Sequence, residues 1–110
     1  MSSKFVEITS REQLDSLFES SYTHPVALLK HSNSCGISSD ILCQLGETDA
    51  EINMIVIQQH RDLSNLTAEK TGHRHQSPQA FVIKHGKVIY HATHYGIDPV
   101  AISELLTSDL

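Results

Sequence analysis

Apolar residues recur along the chain with two periods, and each period predicts one kind of secondary structure. Alternation with period two, or a short continuous apolar run, is typical of a strand, whereas spacing of three and four residues is typical of an amphipathic helix. Strands are predicted over residues 5–8, 26–29, 52–57, 79–84 and 87–92. Helices are predicted over residues 10–21, from Cys35 to Gly46, over residues 62–70, and from Pro99 onward.

The ends of these segments carry residues that favour helix caps and turns. Side-chain oxygens accept hydrogen bonds from the free N–H groups at a helix start, and glycine adopts the left-handed conformation that often ends a helix. The predicted N-caps are Thr9, with Glu12 completing a capping box, Asp62, and Asp98, which Pro99 follows; the predicted stops are Gly46 and Gly72, and the predicted hairpin turn is His85-Gly86.

This order of elements, βαβαβα followed by a hairpin and a helix, favours one α/β domain over residues 1–110. Right-handed crossovers make the first strands parallel, with helices on both faces of the sheet. Residues 26–29, VALL, are apolar without alternation, which predicts a strand in the middle of that sheet. A parallel half joined to an antiparallel hairpin and a last helix is the thioredoxin-like arrangement, βαβαβαββα with a central mixed sheet.

The charge and hydropathy of the chain argue against several classes of partner. The formal net charge is −5 and no cluster of lysine and arginine is present, whereas nucleic-acid binding needs a concentrated basic face. No apolar run approaches the roughly 20 residues that span a bilayer. The N-terminal segment MSSKFVEITSREQ lacks the apolar stretch of a signal peptide. We therefore expect a cytoplasmic monomer with no nucleic-acid and no membrane partner.

A cysteine occupies the junction between the second strand and the second helix. In an open α/β sheet, ligands bind outside the carboxyl ends of the strands, which is where Cys35 is expected. The first N–H groups of a helix have no partner and favour an anion, which here would be the thiolate, the reactive form of cysteine. The side chains of Lys30 and His31, just upstream, could add positive potential. The sequence therefore predicts a reactive thiol at Cys35.

The position three residues after Cys35 holds Ser38 and not a second cysteine. In a dithiol oxidoreductase the second cysteine of C-x-x-C attacks the mixed disulfide and releases the substrate. A hydroxyl cannot form that disulfide, although it can donate a hydrogen bond to the sulfur. The pattern therefore indicates a monothiol mechanism, in which an external thiol regenerates Cys35.

The remaining cysteine and the eight histidines predict neither a disulfide nor a metal site. Cys43, flanked by isoleucine and leucine, is expected in the core. On one helix its Cα atom would lie roughly 12 Å from that of Cys35, whereas a disulfide tolerates about 7 Å. The histidines lack the ligand spacing of a zinc site, even in their densest group of His73, His75, His91 and His94.

A second landmark, Ser77-Pro78, directly precedes the strand pattern at 79–84. An X-Pro bond is cis only about 5% of the time, but proteins with the thioredoxin-like arrangement carry a cis-proline at this topological point. A cis bond there would turn the Ser77 backbone toward the thiol and leave its N–H and C=O free for a bound peptide or cofactor. We therefore expect this dipeptide to form one side of the site.

Three segments together resemble the monothiol bacilliredoxin family: LLKHSNSCGIS, VIQQHRDLSNLTAEKTG and HRHQSPQAFVIKHGKVIYHATH. The similarity is strong from about Val26 to His94 and looser at the ends. It implies a thioredoxin-fold thiol–disulfide oxidoreductase that uses the low-molecular-weight thiol bacillithiol as co-substrate and acts on S-bacillithiolated proteins. It also implies Cys35 as the nucleophile, Ser38 in the resolving position and Ser77-Pro78 as the cis-proline loop.

The residues expected to contact the thiol or the substrate lie in two short segments. They are Ser34, Gly36, Ile37 and Ser38 around the nucleophile, and Ser77 and Pro78 beside it. One of them departs from the family pattern, which usually reads C-P-I-S, because Gly36 replaces the proline. Glycine restores a backbone N–H and loosens the turn.

Two other functions stay open on the sequence alone. One is a thioredoxin-like binding module whose cysteine is capped passively and never turns over; a thiol pKa well below neutral would favour the enzyme instead. The other is a glutaredoxin-like monothiol carrier of glutathione or of an iron–sulfur cluster, since C-G-I-S is close to the C-G-F-S of such carriers. Against the carrier, the SPQAF segment lacks the T-V-P and downstream G-G that cradle glutathione in glutaredoxins.

Overall fold

The computed structural model describes residues 3–107, which form a five-stranded sheet with helices on both faces. The strands are β1 (Lys4–Glu7), β2 (Val26–His31), β3 (Glu51–Val56), β4 (Gln79–Lys84) and β5 (Lys87–Thr93). The helices are α1 (Arg11–Ser20), α2 (Gly36–Gly46), α3 (Arg61–Thr71) and α4 (Pro99–Leu106), and a 3₁₀ turn spans His94–Gly96. Within these residues, no helix has the length and apolarity needed to cross a bilayer.

Strand β2 lies at the centre of the sheet, in which the strand order is β1-β3-β2-β4-β5. Strands β1, β3 and β2 are parallel, whereas β4 pairs antiparallel with both β2 and β5. All six residues of β2 are buried because helices pack against both of its faces. The predicted mixed sheet, with its elements in the predicted order, is therefore confirmed.

Alternate residues of β2 face two separate hydrophobic cores. Val26 and Leu28 pack with residues of α1 and α3, in what we call the α1/α3 core. Ala27 and Leu29 pack with residues of α2 and α4, in the α2/α4 core. Since successive side chains of a strand point to opposite faces, the alternation carries on to the end of β2. Lys30 therefore faces the side of α1 and α3, and the next residue, His31, faces the side of α2 and α4.

The cap of α1 lies one residue later than predicted. The N-cap is Ser10, whose Oγ accepts a hydrogen bond from the N–H of Gln13 at 3.2 Å. In return, Gln13 Oε1 accepts hydrogen bonds from the N–H groups of Thr9 and Ser10. The segment holds two overlapping capping boxes, and the one that forms satisfies both N–H groups with a single side chain. Glu12 lies in the first turn of the helix.

The other helix ends agree with prediction in part. Asp98 caps α4 as predicted, because its carboxylate accepts hydrogen bonds from two backbone N–H groups. Gly72 ends α3 in the left-handed conformation, with φ of 75°. Asp62 is the predicted cap of α3, but the helix begins at Arg61, two residues before Leu63, so its N-cap is His60 and Asp62 lies in the first turn. Gly46 is the last residue of α2, close to the predicted stop. The C-cap is Glu47, whose backbone has right-handed helical angles, so α2 does not end on a left-handed glycine.

Cys43 is exposed, so the prediction that it belongs to the core is wrong. The buried residues of α2 are Ser38, Ile41 and Leu45, which share one face through spacing of three and four. Cys43 comes two residues after Ile41, a rotation of about 200° at 3.6 residues per turn, and it therefore lies on the opposite side of the helix. Both Cys35 and Cys43 are free thiols.

The β4–β5 hairpin turns at His85-Gly86, as predicted. Both residues have positive φ, 54° and 74°, which is typical of two-residue hairpin turns and favours glycine. The side chain of Tyr22 covers this turn closely. A Cβ atom added to Gly86 would lie 2.5 Å from the Tyr22 hydroxyl oxygen and 3.0 Å from the ring carbon that bears it.

Gly86→Ala is expected to lower the free energy of unfolding by about 1.5 kcal/mol, because a left-handed alanine costs about 1 kcal/mol and the exposed end of the Tyr22 side chain also has to move. Gly72→Ala is a matched control: its φ is 75°, but nothing lies within 4 Å of the added Cβ. The control should cost about 1 kcal/mol. Urea denaturation measures both, and equal losses would contradict the steric role of Tyr22.

Candidate active site around Cys35

Cys35 is the N-cap of α2, at the end of the loop that leaves the central strand β2. Its backbone is extended, with φ of −112° and ψ of 122°, and the chain turns there from the edge of the sheet into the helix. The thiol is partly exposed. The location is the one that the sequence predicts.

The first turn of α2 lowers the pKa of the Cys35 thiol. The largest cause is the backbone N–H of Ser38; partial desolvation opposes it, and the backbone N–H of Ile37 and the Ser38 hydroxyl add to the lowering. The donors at the helix start, whose N–H groups have no partner within the helix, thus favour the thiolate, although none of them forms a capping hydrogen bond to the sulfur in this structure. The N–H that Gly36 restores is not among these causes.

Ser38 is completely buried, and its hydroxyl lies between two partners. The oxygen accepts a hydrogen bond from the Ser32 N–H at 3.3 Å. The same hydroxyl is one of the causes of the lowered pKa of Cys35. Because the bond from Ser32 uses only a lone pair, the hydroxyl proton stays available for the thiolate. The serine in the resolving position therefore stabilises the ion.

Lys30 and His31, which the sequence offered as electrostatic support, are not among the causes of the lowered thiol pKa. The Lys30 side chain is fully buried, and its Nζ lies 3.4 Å from His75 Nδ1. That nitrogen also lies 2.9 Å from the Ser64 hydroxyl. Burial lowers the pKa of Lys30 to about 8. Burial likewise lowers the pKa of His31, so its ring is neutral near neutral pH.

The loop that presents Cys35 is braced by Gln58, a residue that the sequence analysis did not select. Gln58 Nε2 donates hydrogen bonds to the hydroxyls of Ser32 at 2.7 Å and Ser34 at 3.1 Å. Its Oε1 accepts a hydrogen bond from the Asn33 N–H at 3.1 Å. The signal available in the sequence was position alone: Gln58 follows a strand parallel to β2, and the carboxyl ends of parallel strands meet at one edge of the sheet.

The Ser77-Pro78 peptide bond is cis, as expected. In the pairing of β2 with β4, Gln79 lies opposite Lys30, so the dipeptide before it lies beside the loop that leaves β2. The Pro78 carbonyl accepts a hydrogen bond from the His94 N–H at 3.0 Å, which joins the dipeptide to the 3₁₀ turn. The Ser77 hydroxyl oxygen is buried and has no hydrogen-bond partner among residues 3–107.

Tyr95, in the 3₁₀ turn after β5, is a second residue that the sequence analysis did not select. Its hydroxyl donates a hydrogen bond to Asp40 Oδ2 at 2.7 Å, which ties the turn to α2. This hydrogen bond is the largest cause of the raised pKa of Tyr95, and the charge of the Cys35 thiolate adds to it. Tyr95 and the thiol are therefore electrostatic neighbours.

Two histidines of the dense group, His73 and His91, pack against each other, and His91 also contacts Gln79. The rings of His73 and His91 stack with centroids 3.9 Å apart. Gln79 Nε2 lies 3.0 Å from His91 Nε2. In the described part of the chain, no three His, Cys, Asp or Glu side chains lie together in a way that could hold a metal ion.

Comparison with known proteins identifies both the fold and the family. Residues 6–102 match the family described as Monothiol bacilliredoxin BrxC. A solved structure described as having a thioredoxin fold is 31% identical and superposes with a TM-score of 0.81 over 92% of either chain. Reduced thioredoxin from Schistosoma mansoni is 20% identical, with a TM-score of 0.69 over 93% of this chain and 98% of that one. Thioredoxin from Nicotiana alata is 14% identical, with a TM-score of 0.71 over 94% and 90%.

Ser38→Ala is expected to raise the pKa of Cys35, because the thiolate loses one donor while the backbone N–H groups remain. Alkylation at neutral pH should slow roughly three-fold as the thiolate fraction falls. The measurement is the pH dependence of iodoacetamide alkylation in a Cys43→Ser background. Ser39→Ala is the matched control, since Ser39 is exposed on the same turn; an equal shift in that control would contradict the role of Ser38.

Lys30→Met is expected to stabilise the protein at pH 7 by about 2 kcal/mol, because it removes a buried ammonium and keeps the length of the side chain. The pKa of Lys30 is about 8 in the folded protein and about 10.4 in an unfolded chain. Between these values the unfolded chain binds more protons, so the stability of the unmodified protein rises with pH there.

Urea unfolding at a series of pH values from 7 to 10.5 tests both parts of this prediction. The Lys30→Met variant should start from a higher free energy of unfolding and should lack the rise across that window. A variant less stable than the unmodified protein at pH 7 would mean that the buried ammonium is favourable where it lies.

Proposed function

Because the chain belongs to the monothiol bacilliredoxin family, whose thioredoxin-like fold is that of a thiol oxidoreductase, we propose that it removes bacillithiol from S-bacillithiolated proteins. The observation that carries the proposal is the state of Cys35. Its thiol is partly exposed at the start of α2, and the N–H groups of Ser38 and Ile37 lower its pKa. A thiolate at that position is the nucleophile that the reaction needs.

In the first half-reaction, the Cys35 thiolate attacks the bacillithiol sulfur of the protein mixed disulfide. The new bond joins Cys35 to bacillithiol, and the bond between bacillithiol and the target cysteine breaks. The target leaves as a thiolate, which takes a proton from solvent. The target is thereby reduced, and Cys35 carries the bacillithiol as a mixed disulfide.

In the second half-reaction, a free bacillithiol thiolate attacks the bacillithiol sulfur bound to Cys35. Bacillithiol disulfide leaves, and Cys35 returns as a thiolate stabilised by the start of α2. The attacking thiolate supplies the electron pair of the new S–S bond, and the pair of the broken bond leaves with the Cys35 sulfur. This step has to be intermolecular, because Ser38 has no sulfur and Cys43 lies on the exposed side of α2.

The residues that flank Cys35 in the chain are uncharged. Ser34 and Gly36 are exposed beside the sulfur, and Ile37 is half-buried. The Ser77-Pro78 corner offers backbone groups on the other side. The co-substrate is a free thiol, so the proposal requires a reducing compartment, of which the cytoplasm is the usual one.

The test is release of bacillithiol from an S-bacillithiolated protein, with free bacillithiol as the reductant. The unmodified protein and Cys43→Ser should release it at similar rates, whereas Cys35→Ser should lose at least about a hundred-fold of the rate, since a hydroxyl at neutral pH is a far weaker nucleophile than a thiolate. Mass spectrometry of the reacting mixture should show one bacillithiol adduct, on Cys35.

Each of three results would contradict a different part of the proposal. An adduct on Cys43 would move the reactive site to the exposed side of α2. An adduct on Cys35 that free bacillithiol cannot remove would favour a passive binding module. Faster turnover with a glutathione mixed disulfide than with the bacillithiol one would favour a glutaredoxin-like carrier.

A further inference from the structure

Tyr95 is an exposed aromatic residue that the structure nevertheless holds in one place. Its side chain is 60% exposed, yet the hydroxyl donates a hydrogen bond to Asp40 Oδ2 at 2.7 Å. A bond of a hydroxyl to a carboxylate is among the stronger kinds of hydrogen bond. The ring therefore offers apolar surface to solvent without the freedom that exposed side chains usually have.

The backbone below Tyr95 is fixed as well. His94 has φ of 53°, a left-handed conformation that is unfavourable for a residue with a Cβ atom. Two hydrogen bonds hold it there: its N–H donates to the Pro78 carbonyl at 3.0 Å, and its carbonyl accepts from the Ile97 N–H at 3.2 Å. Such a conformation costs free energy and persists only where the surrounding structure holds it, as these two hydrogen bonds do.

The anchors of Tyr95 place it between the two parts of the site. Asp40 lies on α2, which begins with the reactive thiol, and Pro78 belongs to the cis-proline corner. The charge of the Cys35 thiolate contributes to the raised pKa of Tyr95, which is a second sign of proximity. Neither half-reaction written above uses the ring.

The other side chains around the sulfur offer little apolar surface. Ser34 and Gly36 are small, Ser38 is fully buried, and Ile37 packs partly into the α2/α4 core. The Tyr95 ring is a larger apolar surface than any of these side chains, and Tyr95 is 60% exposed. Rings of this kind bind ligands well when they are held in place before binding.

We propose that the Tyr95 ring packs against the non-sulfur part of the small thiol carried by Cys35, and that Tyr95 thereby sets which small thiol the protein accepts. The inference rests on the proposed function, since it concerns the mixed disulfide formed in the first half-reaction. Tyr95 is a specificity residue in this account, and the bond to Asp40 keeps its ring beside the sulfur.

A small thiol fits this surface better than a protein target does. A stable protein interface buries about 800 Å² on each partner, whereas a single ring provides a small fraction of that area. A small molecule bound through a disulfide needs only one or two further contacts to be distinguished from another. The ring is therefore expected to affect the choice of thiol more than the choice of target protein.

The experiment measures the equilibrium between the Cys35 thiol and two symmetrical disulfides, in a Cys43→Ser background. One disulfide is that of bacillithiol, and the other is that of 2-mercaptoethanol, whose hydroxyethyl group is too short to cover a ring. Any change in the pKa of Cys35 affects both equilibria in the same way, so the ratio of the two constants isolates the contact with the carried group.

Tyr95→Ala should lower this ratio roughly five-fold, in the range measured for aromatic contacts. Tyr95→Phe, which keeps the ring and loses the bond to Asp40, should retain at least half of it. The matched control is Tyr22→Ala, because Tyr22 is 58% exposed and lies over the β4–β5 hairpin, at the opposite end of β4 from Pro78. That control should leave the ratio unchanged.

A ratio unaffected by Tyr95→Ala, or an equal fall in both constants, would overturn the inference. So would a loss confined to protein mixed disulfides, which would make Tyr95 part of a docking surface for targets. Different results would contradict the two proposals. If the unmodified protein takes up no bacillithiol, the proposed function is wrong. Normal release of bacillithiol with an unaffected ratio would end only the role of Tyr95.

Discussion

The chemistry proposed for this protein depends on one electrostatic interaction, by which the backbone N–H groups at the start of α2 lower the pKa of the Cys35 thiol. A strand buried on both faces has to leave the sheet at its edge, and the helix that covers it begins there with unpaired N–H groups. The thiolate is therefore stabilised by main-chain groups and the Ser38 hydroxyl, without a cation. This explains how a chain with a net charge of −5 can hold an anion at its reactive centre.

Because side chains alternate along β2, two polar residues that are adjacent in the sequence lie on opposite faces of the sheet. Lys30 enters the side of α1 and α3, where its ammonium meets His75, and His31 enters the side of α2 and α4. Neither contributes to the thiol pKa. A fully buried ammonium is unfavourable unless it is well paired, so the central strand carries a polar group that the hydrophobic core alone would not select.

Hydrogen bonds between segments that are far apart in the sequence fix the groups around the Cys35 thiol. Gln58, from the end of β3, hydrogen-bonds three successive residues of the loop before Cys35. The cis-proline corner is bonded to the 3₁₀ turn through His94, and that turn is bonded to α2 through Tyr95. The sulfur therefore lies among groups whose positions are set before a substrate arrives, which is the arrangement that lowers the cost of binding and reaction.

The sequence by itself determined the order of the elements and the position of Cys35, Ser38 and the Ser77-Pro78 corner, because hydrophobic period, proline and strand–helix junctions are local properties of the chain. The sequence-based prediction failed where a local pattern allowed two structures. Two capping boxes overlap at the start of α1. Cys43 has apolar neighbours in the sequence, but it lies on the exposed face of α2. Only the tertiary structure revealed the bracing by Gln58 and the position of Tyr95, since both depend on contacts between residues distant in the chain.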